Sequence, residues 1–164
     1  GILNKYMQDT GQALYRRGMY TFIKRTVPPP SMMMFDGSNR DECQVTRYRT
    51  NTPLQALIML NDPTVLEASK ALADKLLQQQ PEANKLIEKA FRSILCRQAS
   101  GKEIETLVAF YDETKKELAK DQKKAATLIE PGTYKPKTKQ IVDLAAAMQT
   151  IQVIYNMQEA ITKT

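Results

Sequence analysis

Residues 86–95 carry apolar side chains at spacings of three and four, and this pattern limits the fold more than any other feature of the chain. In an α-helix, positions three and four apart lie on one face, so the pattern predicts an amphipathic helix packed on a core. The stripe consists of Leu86, Ile87, Ala90, Phe91, Ile94 and Leu95. No segment shows the strict alternation of a β-strand. The sequence therefore predicts an all-α fold.

Helix-start signals recur along the chain. Thr52 is an N-cap residue followed by proline, and Asp62 precedes a second proline that opens a helix running to about Gln79. A capping box follows, in which the Ser100 and Glu103 side chains each accept from a free backbone N–H of the first turn. The core stripe of that helix is Ile104, Leu107, Val108, Tyr111 and Leu118.

Two further helices complete the C-terminal part. A short one is predicted near residues 125–129, ending at Pro131 and Gly132. The last begins at about Thr138 and is apolar nearly all round, which indicates a central position. Residues 53–164 are therefore predicted to form an irregular helical bundle, with about five to seven helices in the whole chain.

Residues 1–52 differ in character. Residues 15–25 place Tyr15, Met19 and Phe22 on one helical face and charges on the other, so we expect a basic-aromatic helix there. The prolines at 28–30 should stop it and start an extended Pro/Met-rich arm, with a turn at 36–39. The methionines at 32–34 are expected to form a hydrophobic plug. We expect the arm to pack on the bundle as one structural unit.

Histidine is absent and only two cysteines, Cys43 and Cys96, are present. The chain therefore lacks the residue types for Ser-His-Asp or Cys-His catalysis, for histidine-based metal sites and for Cys-x-x-Cys-His haem attachment. The two cysteines can form one disulfide in an oxidising compartment or remain two separate thiols. No apolar run reaches the length of a membrane span. Because the chain starts with Gly1, Ile2 and Leu3, we expect it to be a piece of a longer protein.

Several motifs resemble one known family. They are residues 15–22 (YRRGMYTF), 24–32 (KRTVPPPSM), 35–36 (FD), Arg40, Cys43, 49–57 (RTNTPLQAL) and 60–63 (LNDP), with Asn156 and Glu159 as a weaker match near the end. In these motifs the chain resembles the C-terminal part of the planctomycete-type cytochrome c-associated domain family, whose function is unknown. Ile23 replaces the tryptophan that is usual in the family, and the specific match covers about the first two-fifths of the chain.

The resemblance implies an exported multidomain bacterial protein, periplasmic or on the cell surface, in which a haem module would lie elsewhere in the parent. It implies no cofactor in this chain. The expected partners are the upstream domains of the same parent, another protein or an anionic glycan. No activity follows from the resemblance.

The candidate ligand or partner surface combines arginines, which capture anions through two parallel hydrogen bonds, with neighbouring polar and aromatic side chains. Its members are Arg16, Arg17, Tyr20, Arg25, Arg40, Arg49, Asn51 and Asn61. The alternative is that the arginines pair with Asp36, Asp41 and Glu42 and pin the arm to the bundle, with the Arg-Thr-Asn-Thr-Pro run acting as caps and turns.

The sequence also contains residues that suit three other functions, calcium binding, acid–base catalysis and nucleic-acid binding. Asp36, Asp41 and Glu42 are weaker candidates for calcium ligands, because their spacing departs from an EF-hand loop. The same carboxylates would serve as acid and base if an upstream region completed a hydrolase-like site. Arg16, Arg17 and Tyr20 would suit phosphates and a stacked base, but no helix-turn-helix spacing supports nucleic-acid binding. The sequence favours a non-catalytic interaction or scaffold module.

Overall fold

A computed structural model of the chain describes residues 7, 9, 11–24, 26–38, 43, 45–46, 50–80 and 82–162. The chain divides into two compact units, Gly1–Gln55 and Ala56–Thr164. The described residues contain eight α-helices and no strand, which confirms the all-α prediction.

The unit Gly1–Gln55 contains short helical turns. Two 3-10 helices, Gly11–Tyr15 and Gly18–Tyr20, precede helix α1, Pro30–Met34. The prediction of an α-helix in this segment is therefore wrong. A glycine within a helix costs about 1 kcal/mol relative to alanine, and a segment this short needs tertiary packing to stay helical. Met19 and Phe22 are 69% and 76% exposed, so that packing is missing.

The proline-rich stretch also ends earlier than predicted. Pro30 is the first residue of α1, because proline suits the first turn of a helix, where its missing N–H has no helical partner. The turn that follows comes at Phe35 and Asp36, where Asp36 has a φ of 56° and the Gly37 amide donates to the Met32 carbonyl over 2.7 Å. Met33 and Met34 of the expected plug are 37% and 39% exposed.

Helix α2, Pro53–Asn61, contains the boundary between the units, and six helices follow it in the described residues of the unit Ala56–Thr164. They are α3, Pro63–Gln79; α4, Ala83–Leu95; α5, Gly101–Lys120; α6, Gln122–Ile129; α7, Ile141–Tyr155; and α8, Gln158–Ile161.

Side-chain caps set the starts of four of the eight α-helices in the described residues, α2, α3, α5 and α6. Asp62 accepts from the Thr64 amide over 2.8 Å at the start of α3, and Asp121 accepts from the Lys124 amide at the start of α6. Ser100 and Glu103 form the predicted capping box of α5. Each cap satisfies a backbone N–H that has no partner within its helix. The predicted starts of α3 and α5 are confirmed.

Helix α7 lies at the centre of the unit Ala56–Thr164. It packs against α3, α4, α5, α6 and α8. Residues 144–148 and Ile151 are at most 2% exposed, and the small alanines 145–147 allow neighbouring helices to approach closely. The prediction of a central last helix is confirmed, and the helix starts at Ile141 rather than at Thr138.

Among the helices of the described residues, none is both long and apolar enough to cross a membrane. Cys43 and Cys96 are free thiols and both are exposed.

Candidate functional site

Four described members of the candidate surface, Arg16, Arg17, Tyr20 and Asn51, lie in the unit Gly1–Gln55, and Asn61 lies in the unit Ala56–Thr164. Arg16 and Arg17 are exposed and stand between the two 3-10 helices, and Tyr20, at the end of the second, is 64% exposed. Phe22 is the most exposed aromatic side chain of this segment. No acidic residue occurs from residue 10 to residue 35. The segment therefore presents cations beside apolar and aromatic side chains, a combination typical of binding surfaces.

Of the other predicted members of the candidate surface, the structure describes Asn51 and Asn61. Arg25, Arg40 and Arg49 lie outside the described residues, as do Asp41 and Glu42. The prediction that these arginines converge on one ligand, or pair with acids, stays a prediction. Asn51 is exposed, and the Asn61 side chain donates to the Leu57 carbonyl over 2.8 Å at the end of α2.

Asp36 binds Thr50 across the arm. Its carboxylate accepts from the Thr50 amide over 2.8 Å and from the Thr50 hydroxyl over 2.8 and 2.9 Å. Both carboxylate oxygens are thereby engaged. The Asp36 carboxylate therefore acts as a turn-fixing group in the described structure. The alternative expected this carboxylate to pair with an arginine, and that pairing stays a prediction.

Gln55, which is 1% exposed, extends this network. Its amide nitrogen donates to the Met34 carbonyl over 2.8 Å and to the Thr50 hydroxyl over 2.9 Å. Its side-chain oxygen accepts from the Thr52 amide over 3.0 Å, while the Thr52 hydroxyl accepts from the Gln55 amide over 3.3 Å. Thr52 and Gln55 thus form a capping box at the start of α2. The FD and TNTPLQ motifs consequently have a structural role as one hydrogen-bonded cluster.

Within the described ranges, no group of three or more Cys, Asp or Glu side chains is arranged to hold a metal ion. The weaker calcium prediction involves Asp36 and two residues that the structure leaves undescribed. It therefore stays a prediction.

Sequence reasoning missed a cluster of three buried charged side chains on α3. Glu67, Lys70 and Asp74 are 5%, 1% and 0% exposed, and their spacing places them on one face of the helix. Charged side chains are rarely this buried unless they are paired or hydrogen-bonded. A signal was present in the sequence, because Lys70 lies four residues after Leu66 and three before Ala73, and Asp74 lies three residues before Leu77. These spacings place the charges beside apolar core positions.

The three side chains hold the connection between α6 and α7, residues 130–140, which we call the α6–α7 loop. The Lys70 ammonium donates to the Ile129 and Pro131 carbonyls over 3.0 and 2.7 Å. Lys70 therefore satisfies carbonyl groups at the end of α6 that lack helical partners.

Glu67 and Asp74 hold the next part of the loop from the same helix. One Glu67 carboxylate oxygen accepts from the Thr133 hydroxyl over 3.1 Å and from the Tyr134 amide over 2.7 Å. Gly132 has a φ of +84°, and a Cβ there would lie 2.5 Å from a Glu67 carboxylate oxygen. Glycine is therefore required both by the backbone conformation and by the close approach of Glu67.

Asp74 accepts three hydrogen bonds. The donors are the Tyr134 hydroxyl at 2.7 Å, the Lys137 amide at 3.0 Å and the Thr138 amide at 2.9 Å. Burial raises the pKa of the Asp74 carboxyl, but these hydrogen bonds to the charged form outweigh burial and lower the pKa to about 2. For the Lys70 ammonium, burial lowers the pKa and the charge of Glu67 raises it, which leaves a pKa below the ordinary value.

Arg97 joins α8 to the start of α5. Its guanidinium forms two hydrogen bonds with the Glu159 carboxylate, at 2.7 and 2.8 Å, and two with the Glu103 carboxylate, at 2.7 and 3.1 Å. It also lies 4.7 Å from the centre of the Phe91 ring. The hydrogen bonds from Arg97 lower the pKa of both carboxyls, that of Glu103 to about 2. Glu159 of the weaker C-terminal motif is thus a structural residue.

These observations describe an all-α protein in which the buried charges serve structure and the Arg16, Arg17, Tyr20 and Phe22 side chains are exposed. The chain belongs to the family described as PSD1, protein of unknown function (DUF1553), whose model matches residues 3–111. The match extends beyond the first two-fifths that the sequence motifs indicate and reaches the middle of α5. No curated protein and no solved structure matches the chain.

Proposed function

We propose that this chain is a non-catalytic interaction module that binds protein through the basic-aromatic segment, residues 15–25. The observation that carries the proposal is the exposure of Met19, Tyr20 and Phe22, at 69%, 64% and 76%, beside Arg16 and Arg17. Aromatic residues, methionine and arginine are enriched in protein interfaces, and a few such residues supply most of the binding free energy.

The proposed partner is an upstream domain of the same parent protein. The resemblance to the C-terminal part of a longer domain supports this choice. The absence of acidic residues from 10 to 35 implies that the partner's surface is acidic. An anionic glycan would satisfy the arginines but would leave Phe22 without an apolar contact, so we rank it second.

The same resemblance supports an exported, periplasmic or cell-surface parent that is associated with a cytochrome c-type haem module. Fractionation of cells that produce the parent tests this part of the proposal. The parent is expected outside the cytoplasm, and recovery in the cytoplasmic fraction alone would contradict the proposed location.

The binding proposal is tested with the upstream region of the parent, produced separately and titrated calorimetrically with this chain. The double variant Tyr20→Ser/Phe22→Ser is expected to bind at least tenfold more weakly, because both rings lose their apolar contacts. Phe110→Ser is the matched control, since Phe110 is 37% exposed on α5 and should not affect binding. Unchanged affinity in the double variant, or equal loss in the control, would reject the segment as the binding surface.

A further inference from the structure

The net charge of this protein is concentrated in one part of the chain. Residues 115–139 contain eight lysines against three acidic residues, a net charge of +5 out of +6 for the whole chain. The lysines are Lys115, Lys116, Lys120, Lys123, Lys124, Lys135, Lys137 and Lys139, and all eight are exposed. We call this set the lysine surface.

Seven of these ammonium groups have no acidic partner among the described residues. Only Lys115 is paired, with Asp143 at the start of α7. Asp121 caps α6 through the Lys124 amide, and Glu117 and Glu130 are exposed without an ion pair to a described lysine. The surplus charge therefore faces solvent and is not neutralised within the described structure.

The elements that carry these lysines are adjacent in the fold. Lys116 and Lys120 lie in the last turns of α5, directly before α6, and the α6–α7 loop returns the chain to α7. Asp143, in the first turn of α7, pairs with Lys115 and accepts from the Tyr111 hydroxyl over 3.2 Å, which ties the start of α7 to α5. Helix α6 also packs on both α5 and α7.

The α6–α7 loop shows why three of the lysines point outward. Lys135, Lys137 and Lys139 are exposed, whereas Pro136 and Thr138 between them are half-buried. The buried Asp74 carboxylate holds the Lys137 and Thr138 amides, at 3.0 and 2.9 Å. The buried charges of α3 thus fix the backbone that presents these lysines.

The chemistry of the surface indicates the kind of partner. No arginine occurs after Arg97, and the one aromatic ring of the loop, Tyr134, is half-buried with its hydroxyl bound to Asp74. The surface therefore lacks the groups that grip a phosphate in a fixed geometry or stack on a base. Lysine is a point charge on a flexible stem, which suits anions that can move to meet it.

We propose that the lysine surface binds the phosphate-bearing surface of an anionic lipid bilayer. In a fluid bilayer the anionic headgroups diffuse, so many separate lysines can be matched without a complementary groove. Between residues 111 and 140, no large apolar side chain of the described structure is exposed, and the flanking Phe110 and Ile141 are 37% and 43% exposed. Binding is electrostatic, reversible and separate from the basic-aromatic segment.

The test is co-sedimentation of the full chain with vesicles of phosphatidylglycerol or of phosphatidylcholine. The chain is expected to sediment with phosphatidylglycerol only and to be released at about 1 M salt, where charges are screened beyond about 3 Å. Lys135→Gln/Lys137→Gln/Lys139→Gln should weaken binding on the order of a hundredfold, since each lysine near an anionic bilayer contributes about fivefold.

The matched control is Lys85→Gln/Lys89→Gln/Lys102→Gln, which removes the same charge from α4 and the start of α5 and should retain most of the affinity. Circular dichroism checks that both triple variants melt like the wild type. No binding to phosphatidylglycerol, or equal weakening by the two variants, overturns the proposal. Binding of double-stranded DNA as tightly as phosphatidylglycerol vesicles also overturns it, because the partner would then be a nucleic acid.

Discussion

At the scale of single residues, the buried charged side chains of α3 make the most specific contributions to the stability of the fold. Asp74 is fully buried, yet its carboxylate accepts enough hydrogen bonds to remain ionised with a pKa of about 2. A buried charge whose hydrogen bonds are all formed stabilises the segments that it joins. Removing one hydrogen-bond partner lowers the free energy of unfolding, because a polar group is then left buried without a partner. The α6–α7 loop therefore depends on this one side chain.

Asp74→Asn should lower the free energy of unfolding by roughly 2–3 kcal/mol at pH 7. The substitution keeps the shape but points an NH₂ group at backbone N–H donors that need an acceptor. Urea unfolding of the two proteins measures the difference. Asp62→Asn is the control, because asparagine also caps helices well and α3 should lose little stability.

The difference in the free energy of unfolding between wild type and Asp74→Asn should depend on pH, because the pKa of Asp74 is lowered in the folded protein. The folded pKa of Asp74 is about 2 and the ordinary value is 3.8, so the stabilisation is complete above about pH 4 and is lost as the pH falls toward 2. The difference in the free energy of unfolding between wild type and Asp74→Asn should therefore decrease by roughly 2 kcal/mol as the pH falls from about 4 to 2. A gap that stays constant down to pH 2 would contradict the assigned hydrogen bonds.

At the scale of elements, short helices depend on side-chain contacts outside themselves. Helix α8 has only four residues, too few to be stable alone, and Glu159 binds it to Arg97. The 3-10 helix Gly18–Tyr20 of the unit Gly1–Gln55 leaves Met19 and Tyr20 69% and 64% exposed. Length does not separate these elements, because Gly11–Tyr15 has five residues and α8 has four.

Arg97→Gln should loosen α8, because glutamine cannot bind Glu103 and Glu159 at once. The amides of Ala160, Ile161 and Thr162, which donate within α8, are expected to exchange hydrogen faster, with only a few degrees' loss in melting temperature. The pairs are solvent-accessible, so the global effect is small. Lys85→Gln, which breaks the exposed Lys85–Glu82 pair on α4, is the control. Unchanged exchange in α8 would show that the bridge is unnecessary there.

At the scale of the whole molecule, apolar burial is unevenly divided between the two units. The seventeen residues of the buried apolar core in the described part of the chain lie between Ala73 and Ile154, within the unit Ala56–Thr164. The described part of the unit Gly1–Gln55 is held instead by the hydrogen bonds of Asp36, Thr50 and Gln55. Hydrophobic burial is the main source of stability, so the two units should differ in local stability.

Native-state hydrogen exchange should show this difference. The most protected amides are expected in α3, α4, α5 and α7, with protection close to the global unfolding free energy. Amides in the described residues of the unit Gly1–Gln55 should exchange orders of magnitude faster. Equal protection in both units would contradict the uneven division of the core.

The starts of α3 and α5 were readable from the sequence because their causes are local. Asp62 followed by proline, and Ser100 with Glu103, act within one helical turn, and the apolar pattern of residues 144–151 identifies the central helix without reference to its neighbours. The motifs up to residue 63 were also readable, and the family match over residues 3–111 contains them and shows a family of unknown function.

The tertiary structure alone decided which charged residues are buried and what they hold. Lys70 and Asp74 meet partners about sixty residues away, and sequence spacing carries no information about such contacts. It also decided that residues 15–25 do not form the expected helix, since that outcome depends on packing that their own pattern cannot supply. The local pattern therefore specified the longer helices, whereas long-range contacts specified which polar side chains are buried in structural contacts and which remain exposed.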